Sequence, residues 1–266
     1  MALSKEISNR FDSLKQPRPL YLASYVWIDS DYPDIFRTKT RTIEFEPLKP
    51  EDLPLWDCAI AHATSYINTD LFIKPVKLFN DPFYASNRNK LVLCENYKHD
   101  KSLANENKRF ECIESFKNLK KYSKSTPKFI IEQYYTMFDH NGIEKIDQSL
   151  IERGYTNSKL PKDFHYCSIG IDRVSGRNIA ECHFKACLYA GIRIKSFSCE
   201  KNLSEWKFEI GPCDNYDMAD ELLMARFILH KVAEDFNVVV KFDKEEPSQN
   251  ENKLYFSINE KEFLLK

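Results

Sequence analysis

Two runs rich in β-branched and aromatic residues open the ordered pattern of the chain. They are YLASYVWI at 21–28 and FRTKTRTIEFE at 36–46, separated by the turn-forming DSDYPD. Such runs, bounded by Asp, Ser and Pro, predict a β-hairpin. Strands are predicted again at 72–79 (FIKPVKLF) and 91–97 (LVLCENY). The apolar period then lengthens. In KRFECIESFKNLKKY, 108–122, the residues Phe110, Ile113, Phe116 and Leu119 form one stripe, which predicts a helix with an apolar face, its aromatic side chains in the core, that Pro127 prevents from continuing. A domain boundary is placed near residue 105.

The second half mixes both periods. FIIEQYYTMF (129–138) reads as a strand, RNIAECHFKACLYA (177–190) as a helix, and 192–197 and 206–210 as strands. The strongest helix is MADELLMARFILHKVAED, 218–235, with Phe227 and Leu229 assigned to the core, Asp217 as its N-cap and Asn237 just past its end. NVVVKFD is a last strand before the polar tract EEPSQNENK. The pattern predicts an α+β chain in two parts.

Composition narrows the function classes. With 42% hydrophobic and 14% aromatic residues, the chain has enough apolar surface to fold. Its 39 Lys+Arg balance 40 Asp+Glu, so no global field favours nucleic acid or an anionic membrane. The five lysines of KNLKKYSKSTPK, 117–128, read as a solvated helix end, with no nucleic-acid partner. No run approaches the roughly 18 apolar residues of a membrane span. The charged start MALSKEISNRFDSLKQ has no signal-peptide core, so a cytoplasmic location is expected. The eight cysteines contain no CxxC pair, which disfavours a zinc or redox motif and predicts buried free thiols. Only 6 glycines occur among 266 residues, few for a loop whose backbone must approach phosphate closely.

Beyond these patterns, an ordered series of segments resembles the glutamine synthetase family in its shorter eukaryotic form. They are YVWID, KTRTIEFEP, LFNDPF, NKLVLCENYK, IEQYYT, GIDRVSGRNI, AECHFKACLYAGIRI, EWKFEIGPC and MARFILHKVAEDF. The resemblance implies an N-terminal β-grasp domain with a leading helix over 1–105. Over 106–266 it implies an incomplete catalytic domain, whose curved antiparallel sheet forms a funnel for two divalent metals. It also implies ring assembly, with each active site between one subunit's catalytic domain and its neighbour's N-terminal domain. In that family ATP phosphorylates the γ-carboxylate of glutamate and ammonia displaces the phosphate, chemistry that needs clustered carboxylates, metals and arginines.

Carried onto this sequence, the resemblance assigns a residual, weak metal site to Glu132 in IEQYY, Glu181 in AECHFKACL and Glu200 in SCEKN. An acid inside the apolar FIIEQYY is unusual, and the alternative is that each glutamate pairs with a neighbouring Arg or Lys. The family's second strand acid is replaced by Tyr134, a phenol that ligates Mg²⁺ poorly, and Lys253 falls near the place of its metal-binding histidine. The ammonium-binding loop falls in WDCAIAHATSYINTD, where Asp57 comes early, Ala59 or its neighbours take the acid's place, and His62, the only nearby polar group that could accept a proton, reads as a surface or interface histidine rather than a substitute base. The sequence ends at KEFLLK, so the family's phosphate and substrate arginines, flap glutamate and final metal ligand find no counterpart in it.

The reading is therefore a catalytically inactive, glutamine synthetase-like protein acting through assembly or binding, with itself or a full-length glutamine synthetase as partner. Mg²⁺, Mn²⁺ and ATP are expected to bind weakly. The competing reading is an active ATP-dependent glutamate-ammonia ligase whose missing parts come from another chain.

Overall fold

The predicted hairpin forms as β1 (Tyr21–Ile28) and β2 (Phe36–Ile43), antiparallel from Tyr21 opposite Ile43 to Ile28 opposite Phe36. The computed structural model describes residues 20–29, 35–59, 70–84, 88–98, 108–122, 127–139, 163–170, 173–214, 216–242, 252–258 and 261–265, with the isolated residues 14, 32, 100 and 102. The predicted leading helix, like His62, lies outside them. The chain divides into two units, Met1–Ser115 with Tyr189–Gly191, and Phe116–Leu188 with Ile192–Lys266.

In the first unit β3 (Trp56–Ala59), β4 (Asp70–Asn80) and β5 (Lys90–Lys98) complete a sheet of order β2-β1-β5-β4-β3. Strands β1 and β5 are parallel and the other pairs antiparallel, the mixed pattern of a β-grasp sheet. Strand β2 stops at Ile43 rather than 46, just short of Pro47, which has no N–H for a ladder. For the same reason the β4–β5 register shifts between Pro75 and Lys77. Period-2 alternation puts Ala23, Tyr25 and Trp27 on one face, packed with Leu53, Ile73 and Val92, and Tyr25 meets Trp56 edge-on at 5.2 Å.

Helix α1 (Lys108–Tyr122) forms as predicted, but Phe110 is 46% exposed and does not join a core. Period alone identifies a stripe without saying whether anything covers it. The side chains of Phe116 and Leu119 lie outside the described residues.

In the second unit, β6 (Lys128–Phe138), β7 (Ile194–Cys199), β8 (Glu205–Asp214), β10 (Lys253–Ile258) and β11 (Lys261–Leu265) form an antiparallel sheet of order β11-β10-β6-β8-β7. The short β9 (Val239–Lys241) pairs with β6. Strand β10 begins at the last residue of the polar tract, and its Tyr255, Phe256 and Ile258 suit the ladder it forms with β6. The β8 strand runs through Gly211, whose φ of +115° and 2.4 Å clearance from the Phe129 carbonyl to an added Cβ exclude a side chain, opposite a register shift in β6.

One face of this sheet is apolar: Tyr135, Trp206 and Phe208 are almost fully buried. Helices α2 (Arg177–Ala190) and α3 (Asp217–Asp235) also carry buried apolar residues, among them Ile179, Cys187, Met224, Phe227, Ile228 and Leu229. Asp217 is not the N-cap of α3. Tyr216 holds that position, and the Asp217 carboxylate lies in the first turn, 3.3 Å from Arg193 Nη2, where helix dipole and cation both favour it. At the other end Asn237 adopts φ +53°, and its N–H donates to the Glu234 carbonyl at 3.0 Å.

The buried His183 lies in this core, its Nε2 donating to the Ala225 carbonyl at 3.1 Å and its ring 5.0 Å from Phe208. Burial pushes its pKa down to about 4. The unfolded chain accepts a proton near pH 6.5 that the folded chain refuses. Stability is therefore complete above that pH and falls as pH drops towards 4. A loss of about 2 kcal/mol between pH 7 and 5 is expected from this group, and the slope should be missing from His183→Gln when urea midpoints are compared at the two pH values.

Candidate functional site

Register puts the charged side chains of three strands on one sheet face. Glu132 of β6 stands opposite Lys253 of β10 on one side and Glu209 of β8 on the other. In the next row Tyr134 stands opposite Lys207, which in turn faces Ser198 of β7. Residues two apart on a strand share a face, so Glu132 with Tyr134, and Lys207 with Glu209, point the same way. Glu200 follows the end of β7.

These groups converge on the Lys207 ammonium. Its Nζ is 3.3 Å from Glu132 Oε1, 3.8 Å from Glu209 Oε1 and 4.0 Å from Glu200 Oε1. Two further ammonium groups stand at the rim, Lys253 Nζ 3.9 Å from Glu132 Oε2 and Lys195 Nζ 3.6 Å from Glu209 Oε2. Three carboxylates thus face three ammonium groups. The Tyr134 hydroxyl donates to Glu132 Oε2 at 3.1 Å, its ring 5.6 Å from Lys207 Nζ, and Ser198 Oγ donates to Glu200 Oε1 at 2.9 Å.

The electrostatics follow from this crowding. Burial alone would lower the Lys207 pKa, but the charges of Glu132, Glu200 and Glu209 together outweigh burial and raise it. Burial, then the negative charges of Glu132 and Glu200, push the Tyr134 phenol well above its usual value. At neutral pH this face therefore presents a charged lysine and a neutral phenol. Neither is poised as base or nucleophile, since a catalytic lysine needs its pKa lowered.

Of the three glutamates assigned by resemblance, Glu132 and Glu200 come together around Lys207. Glu181 lies on α2. Among those residues no group of three or more His, Cys, Asp or Glu side chains has the geometry to hold a metal ion. Glu132 is paired with both Lys207 and Lys253. Asp57 and Ala59 lie in β3, where the Asp57 carbonyl accepts a hydrogen bond from Lys39 Nζ. The sequence reading missed Lys207 and Glu209. Their signal is the charge at alternate positions of WKFEI, which places both on the polar face of a strand whose other face is fully apolar.

No family model matches the chain. In sequence it is similar to the glutamine synthetase of Panulirus argus, 38% identical over 242 residues that cover 90% of this chain and 64% of that one. Against the glutamine synthetase of Xenopus laevis it is 38% identical, covering 94% of this chain and 61% of the relative. The corresponding figures for Homo sapiens are 38%, 91% and 62%. The chain thus spans a little under two thirds of the length of these relatives. In fold it is similar to the Plasmodium falciparum glutamine synthetase seen by cryo-electron microscopy, with a TM-score of 0.58 at 14% identity over 96% of this chain and 53% of that one. A second solved structure, a glutamine synthase homologue, gives a TM-score of 0.55 at 14% identity over 91% of this chain and 56% of that one. No described helix is long and apolar enough to cross a membrane.

Proposed function

We propose a function from one premise: over the stretch it shares with those relatives, this chain belongs to the glutamine synthetase family. It is a catalytically inactive member that works by association, with a second copy of itself or with a full-length glutamine synthetase, and not as a glutamate-ammonia ligase. One observation carries this reading, the Lys207 ammonium lodged among Glu132, Glu200 and Glu209.

The family's chemistry uses divalent metals, and these residues do not fit one. A divalent ion would have to displace the Lys207 ammonium, which already occupies the point on which the three carboxylates converge. Lys253 and Lys195 at the rim would repel it. Tyr134 contributes a protonated hydroxyl that is already committed to Glu132. Phosphoryl transfer depends on metals and cations placed where charge develops, so losing the metals removes the main stabilisation of the transition state.

Association is supported by what the chain keeps. The apolar strands and α3 are well packed, while Tyr134 and Lys253 stand where the resemblance puts metal ligands. Strand β2 leaves one edge of its sheet unpaired among the described strands.

The test is a coupled phosphate-release assay with glutamate, ammonium, ATP and Mg²⁺, in which no release above the blank is expected. Turnover of about 1 s⁻¹ or more overturns the inactive reading. For association, light scattering at micromolar concentration is expected to find an oligomer, or co-purification with an active synthetase. A clean monomer that neither co-purifies with that enzyme nor alters its rate refutes it.

A further inference from the structure

Beside the charged face, two cysteines meet at the end of β7. Residues 165–168 form a turn closed by Ser168 N–H donating to the His165 carbonyl at 3.2 Å, with Cys167 at its third position and φ +51°. The Cys167 N–H donates to the Cys199 carbonyl at 3.2 Å. The Cys199 Sγ turns back beneath the same turn, 3.4 Å from the His165 carbonyl and 3.7 Å from that of Ser168. The turn therefore grips Cys199 through both backbone and sulfur, and Cys167 lies between the two carbonyls that the sulfur faces. Residues joined by a direct backbone N–H···O bond fall within the roughly 4.4–6.8 Å Cα separation that a disulfide spans.

The two thiols differ in access. All eight cysteines are free. Cys167 and Cys182 are exposed, Cys112 is half-buried and Cys199 is 2% exposed, so the expectation of uniformly buried thiols fails at three positions. Cys167 is left open because the turn's left-handed residue projects from the surface, a feature that residue spacing does not encode.

We propose that Cys167 and Cys199 form a redox pair, in which a small-molecule disulfide such as oxidised glutathione is taken up at Cys167 and resolved by Cys199. In the first step Cys167 gives its proton to solvent and its sulfur attacks the glutathione S–S bond. A mixed disulfide forms, and one glutathione leaves and takes up a proton. In the second step Cys199 loses its proton and attacks the Cys167 sulfur, and the second glutathione leaves. Two cysteine thiols are oxidised to one disulfide and oxidised glutathione is reduced to two thiols. The link requires that rotation about χ1 of both cysteines bring the sulfurs together. The product pins the turn carrying the exposed Tyr166 and Ile169 to the strand that delivers Glu200.

The experiment incubates the full chain with oxidised glutathione, alkylates the remaining thiols and digests without reduction. The expected result is a linked peptide pair containing Cys167 and Cys199, with two of the eight thiols lost. Cys167→Ser should yield neither the link nor an adduct at this turn. Cys199→Ala should stop at glutathione held stably on Cys167, a readout that does not depend on the link. Retention of all eight thiols, a link made through Cys182, or a Cys167 adduct that persists in the parent chain as long as in Cys199→Ala overturns the proposal.

Discussion

Replacing Lys207 with methionine is expected to destabilise the protein by about 3 kcal/mol at neutral pH and to make the loss recoverable with Mn²⁺. Methionine keeps much of the length of the side chain and removes its charge. Glu132, Glu200 and Glu209 are then left around one point, with Lys253 and Lys195 only at the rim. Their side chains are 12%, 6% and 18% exposed, too buried for water to compensate fully for the missing cation. Removing one partner of a buried pair costs about 3–5 kcal/mol, and this partly solvated cluster belongs at the low end. The same vacancy makes a site for a hard divalent ion among carboxylate oxygens. Binding only to the folded state, at a concentration 100 times its dissociation constant, returns about 2.7 kcal/mol. Urea denaturation of parent and variant, with and without millimolar Mn²⁺, measures both effects. A variant within about 0.5 kcal/mol of the parent, or a parent stabilised by Mn²⁺ as much as the variant, would show that Lys207 is not the cation of this cluster.

The strands and helices were legible in the sequence wherever burial selects apolar residues. YLASYVWI, FIIEQYYTMF and the α3 stretch were legible from their apolar, β-branched and aromatic content, and the structure places Tyr25, Tyr135 and Leu229 inside. What escaped was set by neighbours. KLYFSI becomes β10 because β6 offers it a ladder, and Phe110 stays exposed although its stripe looks amphipathic. The site divides along the same line. Glu132 stood out as an acid in an apolar strand and Lys253 as a cation near the place of the family's metal-binding histidine, yet the pairing with Lys207, 75 residues away in sequence from Glu132, arises only through the register of β8. Glu181 was assigned by likeness of sequence alone, and it lies on α2.

The second large effect is expected at Glu221, where one carboxylate joins α3 to the start of β7. Its side chain is 4% exposed and accepts from Arg193 at three donors, the backbone N–H at 2.9 Å, Nε at 3.0 Å and Nη2 at 2.6 Å. The Cys213 thiol of β8 lies 3.7 Å from Oε2. The hydrogen bonds to Glu221 and its charge outweigh burial and raise the Arg193 pKa further, so the guanidinium remains charged at any accessible pH. Glu221→Ala leaves a backbone N–H without its acceptor and the guanidinium with only the half-exposed Asp217, which should cost about 3 kcal/mol. Glu221→Gln keeps an acceptor but loses the charge and one acceptor oxygen, and about half that cost is expected. Asp217, 3.3 Å from the same Nη2 but 40% exposed, should lose less than about 1 kcal/mol on conversion to alanine. A double-mutant cycle with Arg193→Met isolates the pair, and a coupling above about 2 kcal/mol is expected, changing little between low and high salt because water and ions reach Glu221 poorly. A cost below about 1 kcal/mol for Glu221→Ala, or a coupling that high salt abolishes, would mean that the bridge is a surface ion pair and that apolar packing alone fixes α3 against the sheet.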